Sequence, residues 1–478
     1  MSKSVSMRSD EIATMVEDAE KGRALMGRTK AMRQAGTKYL PKFDAESKTD
    51  YESRLASSWL FNGFRKAVLD MTGRVFSKSI EITEGPAQII EWSENIDMAG
   101  RDLSVFAREV FKDGFQSGVS YIMVDAPRKG EAETKQQATD QGLRPFMSHL
   151  RVEDVLGWKT EVYGNALAIS QFRIMESVTV QDPKDEFSQK KVPQVRVLDR
   201  LDSGVLVRLF QKNQRGDWVL IEDGEYETDA PEITVIPYYA ARTGFLTGEP
   251  VLEDLADVNI GHWVSQSDQR NILHFYRVPI LHATGRDNDD PLVIAAGSAV
   301  TSSDPSAKLE WVTGGDSPIN AGRQDLKDLE YQMQVLGLQL IADKVHSATG
   351  AAIDAVKETS QLSMMADSLK DALEQALYWM AVYGGIPEQT LRISVNKEFG
   401  LTMLTPEMVK AMQADVAAGI ISRETYIEEL KTRGVLRSDL NTQAELDRID
   451  EQSPALTGES LDLSGPSDVD RAIAAFNG

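Results

Sequence analysis

The chain has no cysteine, which excludes disulfides, thiol catalysis and cysteine-held zinc, and which fits assembly in a reducing compartment. Histidine is scarce: His149, His262, His274, His282 and His346 are scattered. His262 and His274 lie twelve residues apart on one expected helix, too far apart to share a metal on one turn, so both read as packing or polar-face residues. No run approaches the roughly 18 uncharged apolar residues of a membrane span. Met1 to Asp10 carries charge without an apolar core, so no secretory signal is expected there. A nucleotide-binding G-x-x-x-x-G-K-[ST] loop, a G-x-S-x-G elbow, an H-E-x-x-H helix and an EF-hand loop are all missing. Nor is there a repeat of about 20 to 50 residues. No catalytic residue, metal ligand or cofactor is therefore assigned, and the chain is expected not to be an enzyme.

Charge of one sign, by contrast, is plentiful: 74 Asp and Glu against 52 Lys and Arg leave a net charge of −22. Proteins that grip nucleic acid show a basic patch, because neutralising phosphates releases counterions. Such acidity disfavours a DNA-gripping module and does not argue against a protein past which DNA slides. With 478 residues, 41% hydrophobic and 26% charged, the chain has ordinary globular composition and room for about three domains.

The organising stretch is Gly248 to Gly384. It reads as a helix from Pro250 to Tyr276, a short β-rich excursion, a helix from Ala321 to Lys344, a small-residue run from His346 to Ala352, and a third helix beginning near Thr359. At 100° per residue the second helix has two apolar stripes: Leu326, Leu329, Met333, Leu336 and Leu340 form one, and Tyr331, Val335, Leu338 and Ala342 form the other. A helix lying on a core needs only one stripe. Two opposed stripes imply neighbours on both flanks, supplied either by a palisade of identical helices or by two elements of the same chain.

Elsewhere, residues 1 to 39 carry eight Lys/Arg against five Asp/Glu and weak helical periodicity at Ile12, Val16 and Leu25, and are expected to form an amphipathic or mobile arm. A helix capped at Thr49 to Glu52 is expected to run through Trp59, Phe61, Phe64, Val68 and Met71. Another spans Leu103 to Phe115 and leads through Gly118 into a strand from Tyr121 to Val124, ending at Asp125. Arg128 to Gln141 reads as a surface loop. Strands are expected at Leu167 to Met175, Val195 to Leu198, Gly204 to Gln211 and Trp218 to Ile221, and a strand from Leu391 to Val395 is expected to return to that α+β domain. Thr405-Pro406-Glu407 starts a helix, Ala417-Ala418-Gly419 stops it, and Ser422 to Thr425 caps the next. Met403 to Gly478 holds 14 acidic and 7 basic residues, and its end reads as a flexible acidic tail.

In their shared order, several short stretches resemble the portal proteins of tailed bacteriophages. These are Tyr39 to Lys42, Gly73 to Phe76, Asn95 to Gly100, Val124 to Pro127, Arg144 to Phe146 and Val155 to Trp158, followed by the longest, Pro250 to Trp263, then Ser267-Asp268 and Pro279 to Leu281. The resemblance covers about Tyr39 to Gly384. It implies a portal-type α+β fold with an α+β wing, a long-helix stem, a small α/β clip and an α-helical crown, assembled into a ring. The implied division is an N-terminal arm (1–39), wing (40–248), stem helix (249–276), clip (277–320), stem helix (321–343), tunnel loop (344–358), second wing part (359–403), crown (404–452) and flexible tail (453–478).

The resemblance further implies twelve subunits at one capsid vertex around a channel for double-stranded DNA, which passes non-specifically. The stripe residues of the second stem helix would pack between subunits. Lys344, His346, Ser347, Thr349 and Gly350 are the implied channel-facing residues, and Arg277, Arg286 and Lys308 are the clip residues that would dock a packaging motor. The implied partners are the large terminase, the major capsid and scaffolding proteins and a head-tail adaptor, with no membrane. The implied location is the virion's portal vertex, reached through host cytoplasm during assembly. Two other readings stand beside it: a different head-tail connector ring, and a metal-dependent hydrolase using Asp125 and acids near Asp254.

Overall fold

The computed structural model describes residues 4–125, 143–182, 185–228, 230–276, 280–284, 304–312, 316–339, 348–387, 390–396, 406–432, 435–437 and 440–452. They mix helices and strands and divide into two compact units, residues 1–399 and 400–478.

The first unit opens with α1 (Asp10–Met26) and α2 (Arg28–Ala35). Ser9 caps α1 by accepting from the Ile12 amide, and Ile12, Met15, Ala19, Gly22 and Leu25 are buried at helical spacing. The expected arm is thus part of the core. Its signal in the sequence is weak because the polar side of α1 is heavily charged, while the buried side is held by small and medium residues.

Next come α3 (Lys48–Ser57) and α4 (Gly63–Val75), where one helix was expected. Ser58 is extended, Arg33 donates to its carbonyl, and Asn62 recaps the chain through the Arg65 amide at 2.8 Å. The apolar period survives across the break, which is why it reads as continuous.

Strand β1 (Glu81–Glu84) and helix α5 (Ala87–Ser93) precede α6 (Leu103–Ser117), which is capped by Asp102 and buried on nearly every side. Gly118 ends α6 with φ 71°, and a Cβ there would lie 2.0 Å from the Glu249 carbonyl oxygen.

Beyond Gly118, β2 (Val119–Asp125) is the centre of a three-stranded antiparallel sheet in which it lies between β3 (Phe146–Leu150) and β9 (Val235–Tyr239). Between those flanks β4 (Val155–Tyr163), β5 (Ala166–Asp182), β6 (Asp185–Leu201), β7 (Gly204–Lys212) and β8 (Trp218–Thr228) form a five-stranded antiparallel meander in sequence order. The expected strands are present but longer, and β4 is additional. The period-2 alternation of β2 separates two cores: Ile122 and Val124 face the helices, whereas Val119, Tyr121 and Met123 face the meander. Helix α1 contributes to both, Leu25 to the helical core and Ile12, Met15 and Ala19 to the other.

After the short strands β10 (Arg242–Gly244) and β11 (Thr247–Gly248), α7 (Glu253–Tyr276) begins. Strands β12 (Ile280–Thr284) and β13 (Lys308–Val312) pair antiparallel. Helix α8 spans Asp316–Gln339, starting within the stretch expected as clip. Helix α9 spans Ala348–Tyr383, so the expected tunnel-loop positions from Ala348 onward are helical. From Leu362 to Ala381 it buries an unbroken series at spacings of three and four. The return strand β14 (Arg392–Ser394) pairs with β1 and not with the meander, and Glu374 of α9 accepts from its Ile393 amide at 2.9 Å.

The second unit holds α10 (Pro406–Ala417), α11 (Arg423–Thr432) and α12 (Thr442–Gln452). Gly419 has φ 73° past α10, and Ser422 accepts from the Thr425 amide at 3.0 Å, both as the sequence indicates. The expected tail lies outside the described residues.

Candidate functional site

The two long helices α7 and α8 pack side by side and run antiparallel, since His262, Ser265 and Gln269 meet Glu330, Asp325 and the Ile319 carbonyl in turn. The seam is polar. His262 Nε2 stands 3.4 Å from Glu330, and Gln269 donates to Ile319 O at 2.9 Å. Burial lowers the His262 imidazole below the ordinary histidine range, against the opposing pull of Glu330. Trp263, next along, is fully buried.

Helix α7 also holds the layer beneath it. Asn259 accepts from the Phe64 amide at 2.9 Å and donates to Phe61 O at 2.7 Å, which fixes the start of α4. Ser267 meets Ser58 at 2.9 Å beside Arg54. The Arg54 guanidinium is buried, paired with Glu46 at 2.7 Å, and lies 4.2 Å from the Phe43 ring. It floors a groove of about 920 Å³ between α3 and the end of α7, lined in part by Phe43, Ser267, Arg270 and His274. Glu46 and Pro41 O already satisfy that guanidinium.

The two stripes of α8 have different fates. On one, Met333 is 4% exposed and Leu336 packs on the helical core, while Leu326 and Leu329 are half-buried. A Cβ at Gly63 would lie 3.0 Å from Met333 Sδ, so the start of α4 sits directly on this stripe. On the other, Tyr331 is 68% exposed and Val335 half-buried. Leu340 and the Leu338 side chain lie outside the described residues. The chain itself therefore supplies a neighbour for the Met333 stripe and leaves Tyr331 open.

Thr349 and Gly350 fall in the first turn of α9. Lys344, His346 and Ser347 lie outside the described residues, as do Arg277 and Arg286. Lys308 is exposed at the start of β13, opposite Thr284.

Of the acids in the hydrolase reading, Asp125 and Asp257 serve other partners and Asp254 is exposed on α7. Asp125 pairs with Arg196 at 2.6 Å, and the same guanidinium holds Glu176 at 2.8 Å. Asp257 and Glu253 pair with Lys21 of α1 at 2.7 and 3.2 Å. Among the described residues no group of three or more His, Asp or Glu side chains is placed to hold a metal ion.

Sequence reasoning missed a buried polar cluster. Arg23 of α1 pairs with Asp113 of α6 and with Glu153. Burial pushes the Asp113 carboxyl up, but His149 and Arg23 more than offset it and hold it below the ordinary carboxylate range. His149 Nε2 lies 2.7 Å from Ser120 Oγ and 3.7 Å from Asp113. This is no Ser-His-Asp relay, because serine and aspartate meet the same ring nitrogen and Ser120 is fully buried. No local spacing could reveal it, as its members lie on separate elements.

Residues 251–384, from the start of α7 to the end of α9, match a family described as a domain of unknown function (DUF4055). No curated protein matches the chain. Among solved structures, a chain of the virion of a native gene transfer agent particle is similar at 11% identity and TM-score 0.40, covering 84% of this chain and 98% of that one. A chain from the neck of the native particle, computed with C12 symmetry, is 10% identical at TM-score 0.39, covering 77% and 89%. At TM-scores of this size the likeness is loose, and neither the fold nor the function of the chain rests on it.

Proposed function

We propose that the chain is a portal subunit of a tailed bacteriophage: a non-enzymatic component of a twelve-membered ring at one capsid vertex. Helices α7 and α8 act as the stem, the β12–β13 pair as part of the clip, and the helices of the second unit as the crown. The ring conducts DNA during packaging and ejection and docks the terminase motor and the head-completion proteins.

The observation that carries this reading is the unequal burial of α8. A large ring such as Tyr331 is left 68% exposed on a regular apolar stripe, opposite the buried Met333. A second copy supplies the missing cover in a closed assembly. The ordered sequence resemblance from Tyr39 to Gly384 supports the same reading. A net charge of −22 suits a conduit, because tight phosphate contacts would add a barrier at every step of DNA movement.

Light scattering with negatively stained images of the purified chain tests it. A particle of about a dozen 52.9 kDa subunits with a central hole is the expected result. A closed dimer with a metal-filled cleft at Asp125 overturns it and restores the hydrolase.

A further inference from the structure

From Lys21 to Phe43 the chain carries seven Lys and Arg and no Asp or Glu, in a protein with 74 acids and a net charge of −22. Part of this positive charge is neutralised within the subunit. Lys21 pairs with Glu253 and Asp257, Arg23 with Asp113 and Glu153, and Lys38 with Glu20. Arg28, Lys30 and Arg33 of α2 are exposed, and among the described residues no acid pairs with them. The Arg33 guanidinium donates twice to Ser58 O, at 3.0 and 2.7 Å. That contact holds the chain beside α2 but leaves the charge uncompensated.

The bond to Ser58 places Trp59 next to α2 with 42% exposure, and Phe61 follows at 39%. Phosphate backbones are held by cations and small polar groups. Unpaired arginines bordered by exposed large rings have instead the composition of a protein interface, in which aromatic residues and arginine are enriched.

The matching surface is on the same subunit. Glu253 and Asp257 of α7 pair with Lys21, Asp18 and Glu17 of α1 lie beside them, and Asp254, next along α7 from Glu253, is exposed. Burial, then Glu253 and Glu17, raise the Asp18 carboxyl above the ordinary range, against the opposing pull of Lys21.

We infer that these two patches are complementary halves of the contact between neighbouring copies, with Arg28, Lys30, Arg33 and Trp59 of one copy seated on the acids around Lys21 of the next. This rests on the ring reading above. A head-to-tail ring needs two different, mutually complementary surfaces on every subunit. Copies that each carry net −22 repel, and a local contact of opposite sign both offsets the repulsion and fixes the register.

Charge reversal tests the inference on the full chain, in variants whose altered side chains make no ion pair in the subunit. The basic-reversed variant is Arg28→Glu with Lys30→Glu, and the acid-reversed variant is Glu17→Lys with Asp254→Lys. Mass is followed by light scattering in about 0.1 M salt, where surface charges still act over about 10 Å. Each variant alone should weaken association by about tenfold or more, as like-charge juxtaposition does. A chain carrying all four changes should regain it, as should an equimolar mixture of the two variants. The regain separates the inference from simple misfolding.

Rings that persist in both variants overturn the inference and leave the portal reading intact. Rings lost in each and not regained in the fourfold variant also overturn it. A wild-type chain that stays monomeric at every concentration removes both. If the basic-reversed variant keeps its rings but loses binding to a DNA duplex, the patch serves phosphates and the inference fails.

Discussion

Replacing Arg23 by methionine should show that the N-terminal helix is a structural member. Arg23 is the bond between α1 and the buried Asp113 of α6, whose carboxyl is only 5% exposed, and it also ties Glu153. Removing the cation leaves Asp113 buried without that partner, and breaking a buried pair from one side costs about 3–5 kcal/mol. The sign of the pH dependence follows from Asp113. Its folded carboxyl lies below the ordinary range, so its contribution is present above about pH 4 and is lost as pH falls through the lower folded value. In Arg23→Met the same buried acid protonates more readily, and the gap between wild type and variant should narrow as pH drops from neutrality. Urea unfolding followed by tryptophan fluorescence measures the gap, and tryptic release of α1 gives an independent readout. Adding Asp113→Asn should recover part of the loss, because the stranded charge is then gone. A difference below about 1 kcal/mol, unchanged between pH 7 and 4, would refute the reasoning and return α1 to the status of a loose arm.

Three further outcomes can be checked on the same footing. Gly118→Ala should lower the melting temperature sharply or prevent folding, since its Cβ meets the Glu249 carbonyl at 2.0 Å in a left-handed conformation that costs about 1 kcal/mol or more by itself; a variant melting like wild type contradicts the close approach. Met333→Ala should destabilise the subunit by about 2–5 kcal/mol, whereas Tyr331→Gln should change subunit stability by no more than about 0.5 kcal/mol while weakening self-association; equal effects on stability contradict the unequal stripes. The buried His262 has a lowered pKa, so its neutral form supports the fold above about pH 6.5, and that support is lost as pH falls through this value toward the lower folded one. The unfolding midpoint should therefore decline in mild acid, and His262→Gln should remove that component of the decline; an identical profile in both proteins rules it out.

The long elements were legible because each writes a period. Leu362, Met365, Leu369 and Leu373 mark α9, and β7 and β8 fall where strands from Gly204 to Gln211 and from Trp218 to Ile221 are expected. Boundaries slipped where capping overrides pattern: Asn62 and the Ser58 carbonyl split one apolar period into α3 and α4. The double stripe of α8 was readable, yet its periodicity could not tell that α4 covers Met333 while Tyr331 stays open. Pairings between distant residues were not readable at all. Glu374 reaching Ile393, Asn259 holding Phe64 and Arg23 meeting Asp113 each need the tertiary fold to bring polar groups together, and no spacing along the chain encodes them.

The position of α1 has a consequence for how the protein is made. This helix leaves the ribosome before the other described elements, yet the surfaces it fills are built by residues that follow it at great distance: β2 and the meander on one side, α4 and α6 on the other. The helical core is not closed until Leu362 to Ala381 of α9 have been synthesised. With so much of its burial supplied by distant sequence, α1 must wait with Ile12, Met15 and Ala19 uncovered until β2 and the meander have emerged, and with Leu25 in an open core until α9 has. Nascent chains halted before α9 should accordingly be caught by chaperones, and an N-terminal fusion that pulls on Ser9 should slow maturation more than one placed at the other end.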